Sequence, residues 1–145
     1  MKKINILVVA ILLAWVGSAA SLRAQDMEKA KRYQKEAEYY QKDAQKYQKE
    51  VEYYQKKLES TMREVEYYMK KAESDDRDAE YYENKNDNDR AKTYRQRAQE
   101  NRSRAQTYQR RAKDIQDTVQ TYQQRASEAS EKASMYLKWA ADAMK

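Results

Sequence analysis

The sequence predicts an all-α protein: a long antiparallel two-helix coiled-coil hairpin, built from 14-residue (two-heptad) repeats and able to dimerise into a bundle. Three observations carry this. The 145-residue chain has no Pro and one Gly, Gly17. Small and aromatic residues alternate at 3-4 spacing through eight heptads on each side of the chain's midpoint. The register of that alternation breaks once, at a run of turn-forming residues. Charged residues make up 37% of the chain and mean hydropathy is −1.32, too polar for a conventional globular core. Such numbers suit either disorder or a helix that buries a narrow stripe. The missing Pro and Gly, and the abundance of Ala, Glu, Lys, Gln and Arg, select the helix.

Residues 1–24 are a different kind of sequence. Lys2 and Lys3 precede an apolar run from Ile4 to Val16, and small residues follow. That order is the pattern of a secretory signal peptide. Cleavage is expected after Ala24, with Ala20 as the other candidate, and export to the periplasm or extracellular space follows. The apolar run is shorter than the ~20 residues that cross a bilayer comfortably, which distinguishes it from an uncleaved anchor. The Lys-Lys start suits a bacterial envelope. The chain has no Cys, so neither cysteine lipidation nor a disulfide is open to it. Removing residues 1–24 leaves 27 basic and 24 acidic side chains, a net charge of +3 in place of +6.

The first helix is expected over 25–84. Its repeats read EAEYYQKDAQKYQK, EVEYYQKKLESTMR and EVEYYMKKAESDDR, and a fourth begins DAEYYENK. Written as heptads, Ala30, Ala37, Ala44, Val51, Leu58, Val65, Ala72 and Ala79 take the first core position. Tyr33, Tyr40, Tyr47, Tyr54, Thr61, Tyr68, Asp75 and Tyr82 take the second. The turn is expected at 85–88, within NKNDND, whose side chains compete for backbone hydrogen bonds and cap helices. The second helix is expected over 89–145. Its seam runs through Ala91, Ala98 and Ala105 with Tyr94, Asn101 and Tyr108, and on to Ala140 and Ala143.

Centring the turn between Asn86 and Asp87 pairs each residue i with 173 − i. Tyr82 then faces Ala91, Ala79 faces Tyr94, and no layer holds two Tyr. Large against small is what close helix packing requires. Charge agrees with this orientation. Arg90 to Lys113 holds nine basic residues and one acid, whereas the facing Ser60 to Glu83 holds eight acids and four bases.

The second Tyr of each Tyr-Tyr pair is therefore read as seam. The first, at Tyr39, Tyr53, Tyr67 and Tyr81, lies off it. These four rings are either partial cover for their neighbours or a candidate interaction flank, for another hairpin or for a partner along the rod. Near the open end, Leu137 and Trp139 are off the seam and form a candidate docking tip. Arg95, Arg97, Arg102 and Arg104 are candidate contacts for a polyanion.

With no His or Cys, the usual zinc sites and His-dependent nucleophiles are excluded. Residues 25–145 contain no Gly for a phosphate-cradling loop. An enzyme, a metal or a cofactor is not expected. The run Asp75 to Asp78 lacks the loop geometry of a calcium site. Export argues against nucleic acid as partner, while an anionic polymer or lipid head group stays open. The Ala-rich seam and Lys145 resemble the alanine-zipper outer-membrane lipoproteins. The cysteine those proteins lipidate is missing, so their anchoring is not implied. In overall form the chain is also similar to helical-hairpin adhesins and to the arms of basic periplasmic chaperones, a likeness of architecture.

The function expected is that of a non-catalytic exported coiled-coil structural or interaction protein: a spacer, scaffold or adhesin-like module of the cell envelope. It is expected to form a homo-oligomer and to meet an envelope or surface protein. The alternative is a periplasmic polyanion-binding or client-holding, chaperone-like factor using the Arg-rich second helix.

Overall fold

The computed structural model describes residues 24–144; the expected signal peptide lies, apart from Ala24, outside the described residues. The protein is all-helical, two helices packed against one another as a hairpin. Helix α1 spans Ala24–Asn84 and α2 spans Asn88–Asp142, with 61 and 55 residues. At 1.5 Å rise per residue they are about 90 and 80 Å long. Helix α2 starts one residue before the expected position 89 and ends at Asp142 rather than at 145.

The turn shows why the start moves. Asn86 takes a left-handed conformation, φ 58°, which Asn tolerates better than most residues. Its N–H donates to the Glu83 carbonyl at 2.8 Å, and the Asp87 N–H donates to that of Tyr82 at 2.9 Å. Those two bonds satisfy carbonyls that the end of α1 leaves open. Asp87 then caps α2: its carboxylate accepts from the Arg90 N–H at 3.2 Å. One Asp closes the first helix and opens the second, so Asn88 is already helical.

The seam is built of alanine. Ala30, Ala37, Ala44, Ala72 and Ala79 of α1, with Ala91, Ala98, Ala105, Ala112, Ala126, Ala133 and Ala140 of α2, are buried at seven-residue multiples. Val65 and Val119 occupy the same rows. Residues this small let the helices come close, but each contributes little apolar area. The tyrosines that alternate with them are half-buried, and among the described residues no large side chain is fully buried.

The rings do not stay in the layers the residue numbers assign. Tyr82 stacks on Tyr94, Tyr68 on Tyr108, Tyr54 on Tyr122 and Tyr40 on Tyr136, with centroids 5.4–5.5 Å apart and planes within 17° of parallel. Each pair joins neighbouring layers. The cause is the tilt of Cα–Cβ bonds toward a helix's N-terminus. In antiparallel helices this leans Tyr82 away from the turn and Tyr94 toward it, so the two rings meet. Aromatic pairs contribute about 0.5–1.5 kcal/mol each beyond area burial. Four such pairs are a substantial share of a stability that for most domains is about 5–15 kcal/mol.

One rung of this ladder is different. Between the Tyr68–Tyr108 and Tyr82–Tyr94 stacks, Asn101 Nδ2 donates to Asp75 Oδ2 at 2.7 Å. Asp75 is 9% exposed and Asn101 6%. A polar pair therefore sits at the rung midway between two ring stacks, seven residues from each.

Candidate interaction flanks

Contacts beside the seam separate two long flanks. On one, Tyr39, Tyr53, Tyr67 and Tyr81 form a row with 55–60% of each residue exposed. Each packs edge-on against the tyrosine that follows it, at 5.1–5.4 Å. That second ring is the one stacked on α2. The four rings thus shield their neighbours on one edge and leave more than half their surface to solvent.

Cations complete each cluster. Arg97, Arg111 and Arg125 lie over Tyr94, Tyr108 and Tyr122 of their own helix at 5.3–5.7 Å. Arg90, Arg104 and Lys132 reach across to Tyr82, Tyr68 and Tyr40 at 5.3–5.7 Å. Guanidinium over an aromatic face is attractive by about 0.5–1 kcal/mol at exposed sites. The hairpin therefore carries four tyrosine clusters on one flank, one per 14 residues, or about 21 Å apart. In the fourth, Trp139 stands three residues after Tyr136, where the other clusters have Arg. It packs edge-on to Tyr136 at 5.2 Å and against Tyr33 at 5.6 Å.

Two phenols on this flank are shifted. The Asp43 carboxylate beside Tyr39 holds its hydroxyl above the ordinary tyrosine range, by charge first and then by partial burial and a hydrogen bond. For Tyr136 the same direction comes mainly from partial burial, with Tyr40 next.

The opposite flank is marked by two ion pairs between the helices near the turn. Arg95 meets Glu83 at 2.5 Å, and Arg102 meets Asp76. The four candidate polyanion contacts are thus divided. Arg95 and Arg102 are engaged with acids of α1 on one side, whereas Arg97 and Arg104 lie over tyrosines on the other.

No family model, curated protein or solved structure matches this chain.

The two tip residues are divided as well. Trp139, 41% exposed, belongs to the tyrosine flank, and Leu137 continues the row of Arg95 and Arg102 on the other. Near the open end Met27, Met135 and Met144 are exposed, and a shallow cleft lies between Lys29, Tyr33 and Trp139. Another cleft lies at the polar rung, where Lys71, Arg97, Arg104 and Glu100 surround the Asp75–Asn101 pair. That pair has no role in the sequence expectation, although its polarity at two seam positions is the signal that marks it. Of the acidic run, Asp75 turns to Asn101 and Asp76 to Arg102. Among the described residues no three His, Cys, Asp or Glu side chains are placed to hold a metal, and no helix is long and apolar enough to cross a membrane.

Proposed function

We propose that this protein is a non-catalytic exported coiled-coil rod, serving as a spacer, scaffold or adhesin-like module of the cell envelope. Its working surface is the tyrosine flank. The observation that supports this is the repetition of one cluster four times along one side: an exposed Tyr, a second Tyr beneath it and a third stacked from the other helix. A seam needs only the second and third rings. The exposed ring adds a row of large, partly rigid aromatic contacts, the residue type that dominates protein interfaces.

The seven-residue burial of alanine supports the coiled-coil reading, because a constant phase over eight heptads calls for supercoiling. The apolar start supports export. A partner envelope or surface protein would lie lengthwise along the rod and engage two or more clusters together.

The test is retention by the envelope fraction of the native cell. Wild-type protein stays with that fraction in high salt, since aromatic contacts are little screened. A variant with Tyr39, Tyr53, Tyr67 and Tyr81 all changed to Gln is released. Equal retention of both proteins would remove the flank from the account.

A second reading, binding of a polyanion, is supported by the cleft where the cations of Lys71, Arg97 and Arg104 outnumber the carboxylates of Asp75 and Glu100. It predicts affinity for heparin that falls steeply with salt and drops with Arg97→Gln and Arg104→Gln but not with Arg95→Gln and Arg102→Gln.

A further inference from the structure

The flank opposite the tyrosines carries the stronger case for self-association. We infer that a second copy of this chain docks on it side by side, both turns at the same end, so that each α1 lies against the other copy's α2. This rests on the rod reading above but not on the tyrosines, which it leaves on the outside of the assembly.

The row begins at the two ion pairs near the turn. Stepping back by sevens from Asp76 along α1 gives Met69, Met62, and then Gln at every position to Gln34. Stepping by sevens from Arg102 along α2 gives Gln109, Gln116, Gln123, Ser130 and Leu137. Neither row has a charge over those spans, in a chain that is 37% charged. Because the alanine seam keeps its seven-residue period along the whole hairpin, both rows keep one angle to it. An uncharged stripe beside the seam is what a helical bundle can bury.

The two flanks also differ in what already covers them. On the tyrosine flank ten cations lie over rings. On this one, Met62 and Met69 are 50% and 39% exposed, and the glutamines of both rows make no side-chain hydrogen bond within the hairpin. Their amides are free to pair with one another.

Charge selects the arrangement. Residues 25–87 hold 14 basic and 17 acidic side chains, and residues 88–145 hold 13 and 7. Setting α1 on the other copy's α2 therefore opposes unlike charge, while α1 on α1 does not. A two-fold axis along the rod gives that pairing at matched levels. Met62 of one copy meets Gln116 of the other and Gln55 meets Gln123, at the offset of Asp76 from Arg102, and in the rows outside them Glu66 meets Lys113. No like charges face each other in these pairs.

The experiment is light scattering on the purified full chain, comparing variants that leave the apolar start untouched. Wild type is expected at twice the 17.4 kDa of one chain. Met62→Glu with Met69→Glu is expected to halve the mass while helicity is kept, since both side chains are exposed. Gln109→Arg with Gln116→Arg is expected to do the same, and mixing the two variants is expected to restore the doubled mass. If the charged variants stay double and the four Tyr→Gln changes halve the mass, copies meet through the tyrosines and this inference is overturned. A single-chain mass for wild type overturns it too, and leaves the envelope-retention test of the tyrosine flank standing.

Discussion

Replacing Asn101 by Ala tests the polar rung, the pair of buried polar side chains in the seam. The substitution removes the donor at 2.7 Å from Asp75 Oδ2 and leaves a carboxylate only 9% exposed without that partner. Hydrogen bonds to charged groups contribute about 1.5–3 kcal/mol. Ala is a better helix former than Asn by ~0.6 kcal/mol, which offsets part of the loss. The net cost is about 1–2.5 kcal/mol, or a fall in Tm of several degrees for a domain of this size. The double variant Asp75→Leu with Asn101→Leu removes both partners and fills the space, and should be at least as stable as wild type. Urea unfolding followed by circular dichroism measures all three proteins. If Asn101→Ala lies within 0.5 kcal/mol of wild type, roughly the floor for a lost buried bond, water serves Asp75 and the rung holds nothing.

The remaining predictions follow the same contacts. Ala98 is wholly buried, so Ala98→Leu should cost about 1–3 kcal/mol by overpacking, whereas the same change at exposed Ser103 should cost little. Arg95→Ala with Arg102→Ala breaks two half-exposed ion pairs and should cost less than about 1 kcal/mol each, a difference that vanishes in high salt; a larger, salt-independent loss would contradict surface pairing. Tyr39 and Tyr136 have raised phenol pKa values, so their neutral forms favour the fold. That contribution is complete below the unfolded phenol pKa and disappears as pH rises through the folded value. Spectrophotometric titration should show late-ionising phenols that Tyr39→Phe and Tyr136→Phe each remove; fourteen phenols titrating together would refute the shifts.

Much of this fold is legible in the residues. A helix-forming composition and the phase break at NKNDND define two helices and a turn, and the Ala/Tyr alternation defines which sides meet. The stacking of Tyr82 on Tyr94 is not legible from pairing by level, because side chains lean toward each helix N-terminus. The same lean hides the contact of Asn101 with Asp75, which stand one layer apart. The division of the four arginines was within reach: Arg95 and Arg102 fall one residue after a seam tyrosine or asparagine, and Arg97 and Arg104 three after. By composition the four form one basic stretch, yet they leave the helix on opposite sides. Which flank meets a partner is harder to read, since exposed tyrosine at 55–60% describes both a cover and a contact.

The central claim is an antiparallel hairpin in one register, and distance measurement between two spin labels tests it most directly. The chain has no Cys, so labels at Gln45→Cys and Ser127→Cys are unique. Across two packed helices, whose axes lie about 8–10 Å apart, the labels, in chains diluted with unlabelled protein so that each pair lies within one molecule, should give one narrow distance, set mainly by that gap and the tethers. A single continuous helix would place them about 120 Å apart. A slip by one 14-residue repeat would displace one helix by about 21 Å along the other and give a second, longer distance. Either result would contradict the account.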